Sequence, residues 1–109
     1  MYRLLFDDDS VFEVPGGYKG LQIGLSQWNG KDKPKYMYLW FKHRYVPKEV
    51  MKEWENSFCY KKLLSIFVYE EDGNKLSHGI QAPDDYIEFH YEEGDLIVTY
   101  GNPIYADEV

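Results

Sequence analysis

The segment Tyr36-Met37-Tyr38-Leu39-Trp40-Phe41 is apolar at every position. Read as a strand running from Tyr36 to Lys42, it sends Tyr36, Tyr38 and Trp40 to one face and Met37, Leu39 and Phe41 to the other, because successive strand side chains alternate. Neither face suits bare solvent, so this strand has two sides to be covered or used. That requirement points to a sheet with a core on one side and either a second layer or a binding partner on the other.

The rest of the chain supplies the sheet. Tyr2, Leu4 and Phe6 alternate with Arg3 and Leu5, Asp7-Asp8-Asp9-Ser10 provides turn residues, and Val11 to Val14 returns as a hairpin partner. Pro15-Gly16-Gly17 breaks that hairpin, and Leu21, Ile23 and Leu25 share one side of a third strand reaching about Trp28. A polar loop around Asn29-Gly30 leads to the strand at Tyr36. The one helix is expected from about Pro47, with Val50, Met51, Trp54 and Phe58 on a single stripe and Asn56-Ser57 as its stop. Strands follow at Leu63 to Glu70, Leu76 to Ile80, Tyr86 to Tyr91 and Leu96 to Tyr100, with Asp72-Gly73 and Glu92-Glu93-Gly94-Asp95 as turns. Four strands, a helix and four strands make an α+β chain, mostly antiparallel, with seven or eight short strands in a bent sheet or small barrel beside one amphipathic helix.

With 109 residues, of which 44% are hydrophobic, the expectation is one domain, 1–109, around one core. No apolar run approaches the ~20 residues that cross a bilayer, and Met1 to Phe6 is too short before Asp7-Asp8-Asp9 for a secretory signal, so a cytoplasmic location with no membrane partner is expected. Cys59, the only cysteine, has no disulfide partner within the chain and reads as a small buried hydrophobe.

Sequence signals for chemistry are weak. His43, His78 and His90 lack metal-ligand spacing, the aspartates at 7–9 lack the glycine and glutamate of a calcium loop, and Gly16, Gly17 and Gly20 lead to no phosphate-binding lysine, so no metal or cofactor is expected. Glu88 and His90 leave the same face of a strand together with Tyr86, an arrangement open to acid–base chemistry but equally natural on a solvated sheet face. Ser77 and His78 are adjacent, so on a regular strand they point apart and form no nucleophile–base pair. The reading is therefore of a protein that binds and does not catalyse.

Charge narrows the binding classes. Residues 63–109 carry eleven acids and one base, residues 31–62 carry nine bases and four acids, and the whole chain has a net charge of −7. Asp84, Asp85, Glu88, Glu92, Glu93 and Asp95 gather on one hairpin, with Glu70, Glu71 and Asp72 on the turn before it, and a sheet displaying them would imitate a phosphate backbone. On this reading those six acids, with Tyr86 and Tyr91 adding apolar contact, occupy the basic groove of a nucleic-acid-handling partner such as a nuclease. Phage-encoded inhibitors, anti-CRISPR proteins among them, and antitoxin-like immunity proteins are the settings in which such a surface works. The alternative is a single-stranded nucleic-acid site in which Lys42 and Arg44 follow the backbone while Tyr36, Tyr38 and Trp40 stack bases, although phosphate contacts are opposed by the acidic total. A structural part in a phage or other assembly is the third reading.

Overall fold

The computed structural model describes residues 1–26, 33–70, 75–83 and 87–101. Among these residues eight strands and one α-helix follow in chain order, with a single 3-10 turn at Gly17–Lys19: β1 (Tyr2–Phe6), β2 (Val11–Glu13), β3 (Leu21–Leu25), β4 (Tyr36–Phe41), α1 (Lys48–Tyr60), β5 (Leu63–Tyr69), β6 (Leu76–Gln81), β7 (Ile87–Glu92) and β8 (Asp95–Gly101). The strands pair as four antiparallel hairpins, and the class is α+β. They do not close into a barrel. Instead they form two four-stranded sheets, in the orders β2-β1-β5-β6 and β3-β4-β8-β7, so each sheet joins a hairpin from before α1 to one from after it.

Local chemistry fixes the turns. In the β1–β2 turn Asp9 sits in the left-handed region with φ 68°, which a short polar side chain tolerates, and the Ser10 amide donates to Asp8 Oδ1 at 3.0 Å. The β7–β8 loop has two residues, Glu93 at φ 50° and Gly94 at φ 90°. Positive φ at both positions matches the right-handed twist of the strands it joins.

Alternation then decides burial. Leu4, Phe6, Ile66 and Ile80 of the first sheet and Met37, Leu39, Phe41, Leu96 and Val98 of the second are buried in one continuous cluster. Helix α1 closes it with Met51, Trp54 and Phe58. Phe58 packs 5.4 Å from the Phe6 ring and 5.9 Å from Phe41, and Trp54 lies 5.1 Å from Phe41 and 6.0 Å from Phe12, so one helix bridges both sheets.

Those contacts explain a difference from the sequence expectation. The helix does not stop at Asn56-Ser57 but continues to Tyr60, where the Lys61 amide donates to the Ser57 carbonyl at 2.8 Å. Asn and Ser cost roughly 0.5–0.7 kcal/mol each in a helix interior, whereas burying a phenylalanine yields about 1.5–3 kcal/mol. Burial of Phe58 prevails. Pro47 stands just before the helix with an extended ψ of 145°, and its carbonyl accepts the Met51 amide at 3.0 Å. Cys59 differs as well: it is exposed, because it lies off the Met51–Trp54–Phe58 stripe. Among the described residues no helix is long and apolar enough to cross a membrane.

Candidate binding face

The outer face of the second sheet is built by register. Tyr38 opposes Gly24 on β3 and Thr99 on β8, Trp40 opposes Gln22 and Ile97, and Ile97 and Thr99 in turn oppose His90 and Glu88 on β7. Side chains directly opposite share a face, so Tyr36, Tyr38 and Trp40 stand on the same side of the sheet as Glu88, His90 and Glu92. Members of the two candidate sites read separately from the sequence thus share one surface.

The aromatic stripe is held in place. Ring centroids of Tyr36 and Tyr38 are 6.5 Å apart, as are those of Tyr38 and Trp40, and the planes are inclined at 57° and 64°. Tyr38 lies over β3 at a point where only glycine fits, since a Cβ on Gly24 would fall 1.8 Å from the ring's Cε1. Gln22 Nε2 donates to the Tyr38 hydroxyl at 3.2 Å. Lys42, two residues beyond Trp40 on the same side, places its ammonium 4.1 Å from the centre of the indole ring, a distance at which the ring's quadrupole attracts a cation.

Asp95 anchors the end of the stripe. Its Oδ2 accepts the Trp40 Nε1–H at 2.8 Å and its Oδ1 accepts the His43 amide at 2.8 Å, with the His43 ring Nδ1 on the same oxygen. Burial works to raise the carboxyl's pKa, but the hydrogen bonds from the His43 amide, the Trp40 indole and the His43 ring outweigh it and hold the pKa below its ordinary value. This carboxylate is committed to the fold of the face.

The remaining acids are arranged differently. Glu88, Glu92 and Glu93 are exposed, and His90 Nε2 approaches Glu92 Oε2 at 3.8 Å. Tyr36 has its pKa raised first by burial, next by Tyr38 and then by the charge of Glu88, which puts that carboxylate in the field of the aromatic stripe. Asp84, Asp85 and Tyr86 lie outside the described residues. Of the acids expected on the preceding turn, Glu70 follows β5 of the first sheet, while Glu71 and Asp72 lie outside the described residues. The β5–β6 and β7–β8 hairpins, expected to be neighbours, lie in different sheets.

Tyr91 leaves the opposite side of β7 and is 45% exposed, with its hydroxyl donating to Glu55 Oε2 of α1 at 2.6 Å. Burial first, and then the Glu55 hydrogen bond and charge, raise its pKa to about 12. Arg44 sits in the β4–α1 connection with its guanidinium 5.6 Å from the Tyr45 ring. The structure thus brings Tyr36, Tyr38, Trp40 and Lys42 together with Glu88 and Glu92, but puts Tyr91 on the other side of the hairpin.

Ser77 and His78 also depart from expectation, since Ser77 Oγ and His78 Nδ1 are 3.3 Å apart. Val68 pairs with His78 and Tyr69 with Leu76, so Ser77 is the extra residue of a bulge, and a bulge turns side chains away from strict alternation. Both residues are exposed on an edge strand. Among the described residues no group of three or more His, Cys, Asp or Glu side chains is placed to hold a metal ion.

The contact between Trp40 and Asp95 spans 55 positions and had no sequence signal. A cleft at the other side of the β7–β8 loop likewise has no motif to mark it, although Lys48, Met51, Lys52 and Glu55 at helical spacing form one wall of it. No protein-family model matches this chain, and no curated protein or solved structure does either.

Proposed function

We propose that this protein is a non-enzymatic binding module whose outer second-sheet face receives a basic protein surface, of the kind that lines a nucleic-acid-handling groove. The observation that supports this reading is the shared face: Tyr36, Tyr38 and Trp40 beside Glu88 and Glu92. A guanidinium or ammonium group gains from stacking on an aromatic ring, by about 0.5–2 kcal/mol depending on desolvation, and gains again from an adjacent carboxylate. Lys42 over Trp40 is an intramolecular instance of that contact. Occupying a nuclease's phosphate-binding groove in this way would make the protein an inhibitor or immunity factor, and the net charge of −7 would steer the approach.

The test is a titration of the intact protein with an arginine-rich peptide and, separately, with a single-stranded oligonucleotide, each at low and high salt. Peptide binding that weakens with salt and falls about tenfold or more in Glu88→Lys/Glu92→Lys is the expected result. Equal peptide affinity in the charge-reversed variant would reject the face. The runner-up is a single-stranded nucleic-acid site, favoured by the alignment of Tyr36, Tyr38, Trp40 and Lys42 along one strand. It predicts oligonucleotide binding that strengthens when Glu88 and Glu92 become lysine and is lost in Tyr38→Ala.

A further inference from the structure

On the other side of the β7–β8 hairpin, between its turn and the first half of α1, lies an open cleft of about 510 Å³. That volume is within the range of small-molecule sites, roughly 300–1,000 Å³. One wall is a helical stripe, Lys48, Met51, Lys52 and Glu55, and the other is Tyr91 and Gly94 of the hairpin, with His43 closing one end. The floor is apolar, since Met51 is buried, while the flanking rings are not: Tyr91 is 45% exposed and the His43 side chain 58%.

The charge in this cleft opposes that of the chain. Among the described residues neither the Lys48 nor the Lys52 ammonium makes an ion pair or hydrogen bond. Glu55, the acid on the same wall, accepts the Tyr91 hydroxyl, and Asp95 behind His43 is taken up by the Trp40 indole and the His43 amide and ring. Two unpaired cations therefore face a half-open apolar space in a protein of net charge −7.

The walls are also set rigidly. Gly94, at φ 90° in the left-handed region that favours glycine, packs beside the His43 ring. The ring is fixed from the other side by Asp95 through Nδ1, which leaves Nε2 as the nitrogen available to a ligand. Tyr91 is likewise fixed by Glu55, so its ring stands across the cleft from the helix without reorganising.

We infer that this cleft binds a small organic anion with a flat apolar body, its carboxylate or phosphate held by Lys48 and Lys52 and its body lying between Tyr91 and His43 over Met51. The site is separate from the outer sheet face, so the two readings stand or fall independently. Pairing an anion with two ammonium groups gives charge-assisted bonds, and covering the exposed rings adds apolar burial.

Phenyl phosphate, benzoate and inorganic phosphate are the probes, titrated into the intact protein while backbone amide resonances are followed by NMR. Saturable shifts at His43, Lys52, Tyr91 and Gly94 are expected with phenyl phosphate or benzoate, and whichever binds more tightly identifies the headgroup. Inorganic phosphate should bind about tenfold or more weakly, because it lacks the apolar body. Lys48→Gln/Lys52→Gln, two exposed helix positions whose replacement leaves the far-UV circular dichroism intact, should lower affinity about tenfold or more. Shifts absent at millimolar probe, shifts confined to other residues, or unchanged affinity in the double variant would overturn the inference. Equal affinity for inorganic phosphate and phenyl phosphate would overturn it as well, since the apolar walls would then contribute nothing.

Discussion

In the first sheet the outward side chains include Arg3, Leu5, Ser65, Phe67, Gly79 and Gln81, a mixture of polar, small and apolar groups, with the Arg3 guanidinium 4.5 Å from the Tyr69 ring. In the second sheet the same positions of the central strand hold Tyr36, Tyr38 and Trp40, with carboxylates one strand beyond their neighbour. Both sheets share one assembly rule and one core, so packing accounts for their inner faces alike. It does not account for the outer ones. An outer face is where sequence is least constrained by folding, and a row of large rings there, braced by Gly24, Gln22 and Asp95, is arrangement beyond what the core demands.

The sharpest way to break that contrast is to truncate the two sides of β4. Phe41→Ala removes a fully buried ring that touches Trp54 and Phe58 and should cost about 3–5 kcal/mol in urea unfolding. Tyr36→Ala, on the outer side, should cost about 1 kcal/mol or less. If the two costs are similar, the stripe is structural and the binding reading of that face fails.

Glycines of the two sheets offer a second contrast. Gly24→Ala drives a Cβ into the Tyr38 ring and should destabilise by about 1–3 kcal/mol with displaced aromatic resonances. In Gly79→Ala the new Cβ meets Phe67 at an ordinary 3.5 Å, so stability should hold or rise by up to about 1 kcal/mol. Thermal unfolding of both variants decides it.

Tyr100 gives an effect of opposite sign. It faces the core, 5% exposed, its hydroxyl has no hydrogen-bond partner among the described residues, and burial raises its pKa strongly. Tyr100→Phe removes a desolvated polar group and should stabilise by about 1 kcal/mol. A loss of stability would mean the hydroxyl has a role that packing alone does not reveal.

The smallest effect concerns pH. Because the Asp95 carboxyl has a lowered pKa in the fold, its stabilising contribution is present above the unfolded value, roughly 4, and is lost as pH falls through the folded one. Asp95→Asn should therefore show a shallower loss of melting temperature below about pH 4 than the parent protein does. Parallel profiles would place the acid sensitivity elsewhere, with Asp8 the next candidate: hydrogen bonds from the Ser10 hydroxyl and amide, and then Lys61, lower its pKa to about 2.

What was legible in the sequence was what is local. Hairpin turns such as Asp7–Ser10 and Glu93-Gly94 are decided by residues within a few positions of each other, and alternation along 36–41 sorted both faces of β4 correctly. The pairing of β1 with β5 and β4 with β8 was not legible, since any hairpin with a suitable edge could have filled those places. Glu88 and Tyr36 share a surface only because β8 lies between their strands, and no spacing in the chain encodes that. The helix end departs from the sequence expectation for a related reason, because Phe58 is drawn into place by Phe6 and Phe41 from distant segments.

That cross-pairing has a bearing on how the protein comes into being. During synthesis the hairpins made first, β1–β2 and β3–β4, emerge without the strands that flank them in the native state, and β1 and β4 wait with one edge unsatisfied until β5 and β8 arrive. Contacts so distant in sequence form late and slowly, and open apolar edges are where chains stick to one another. Native pairing thus waits on β5 and β8, and a fragment ending at the helix should aggregate unless the later strands are supplied in trans.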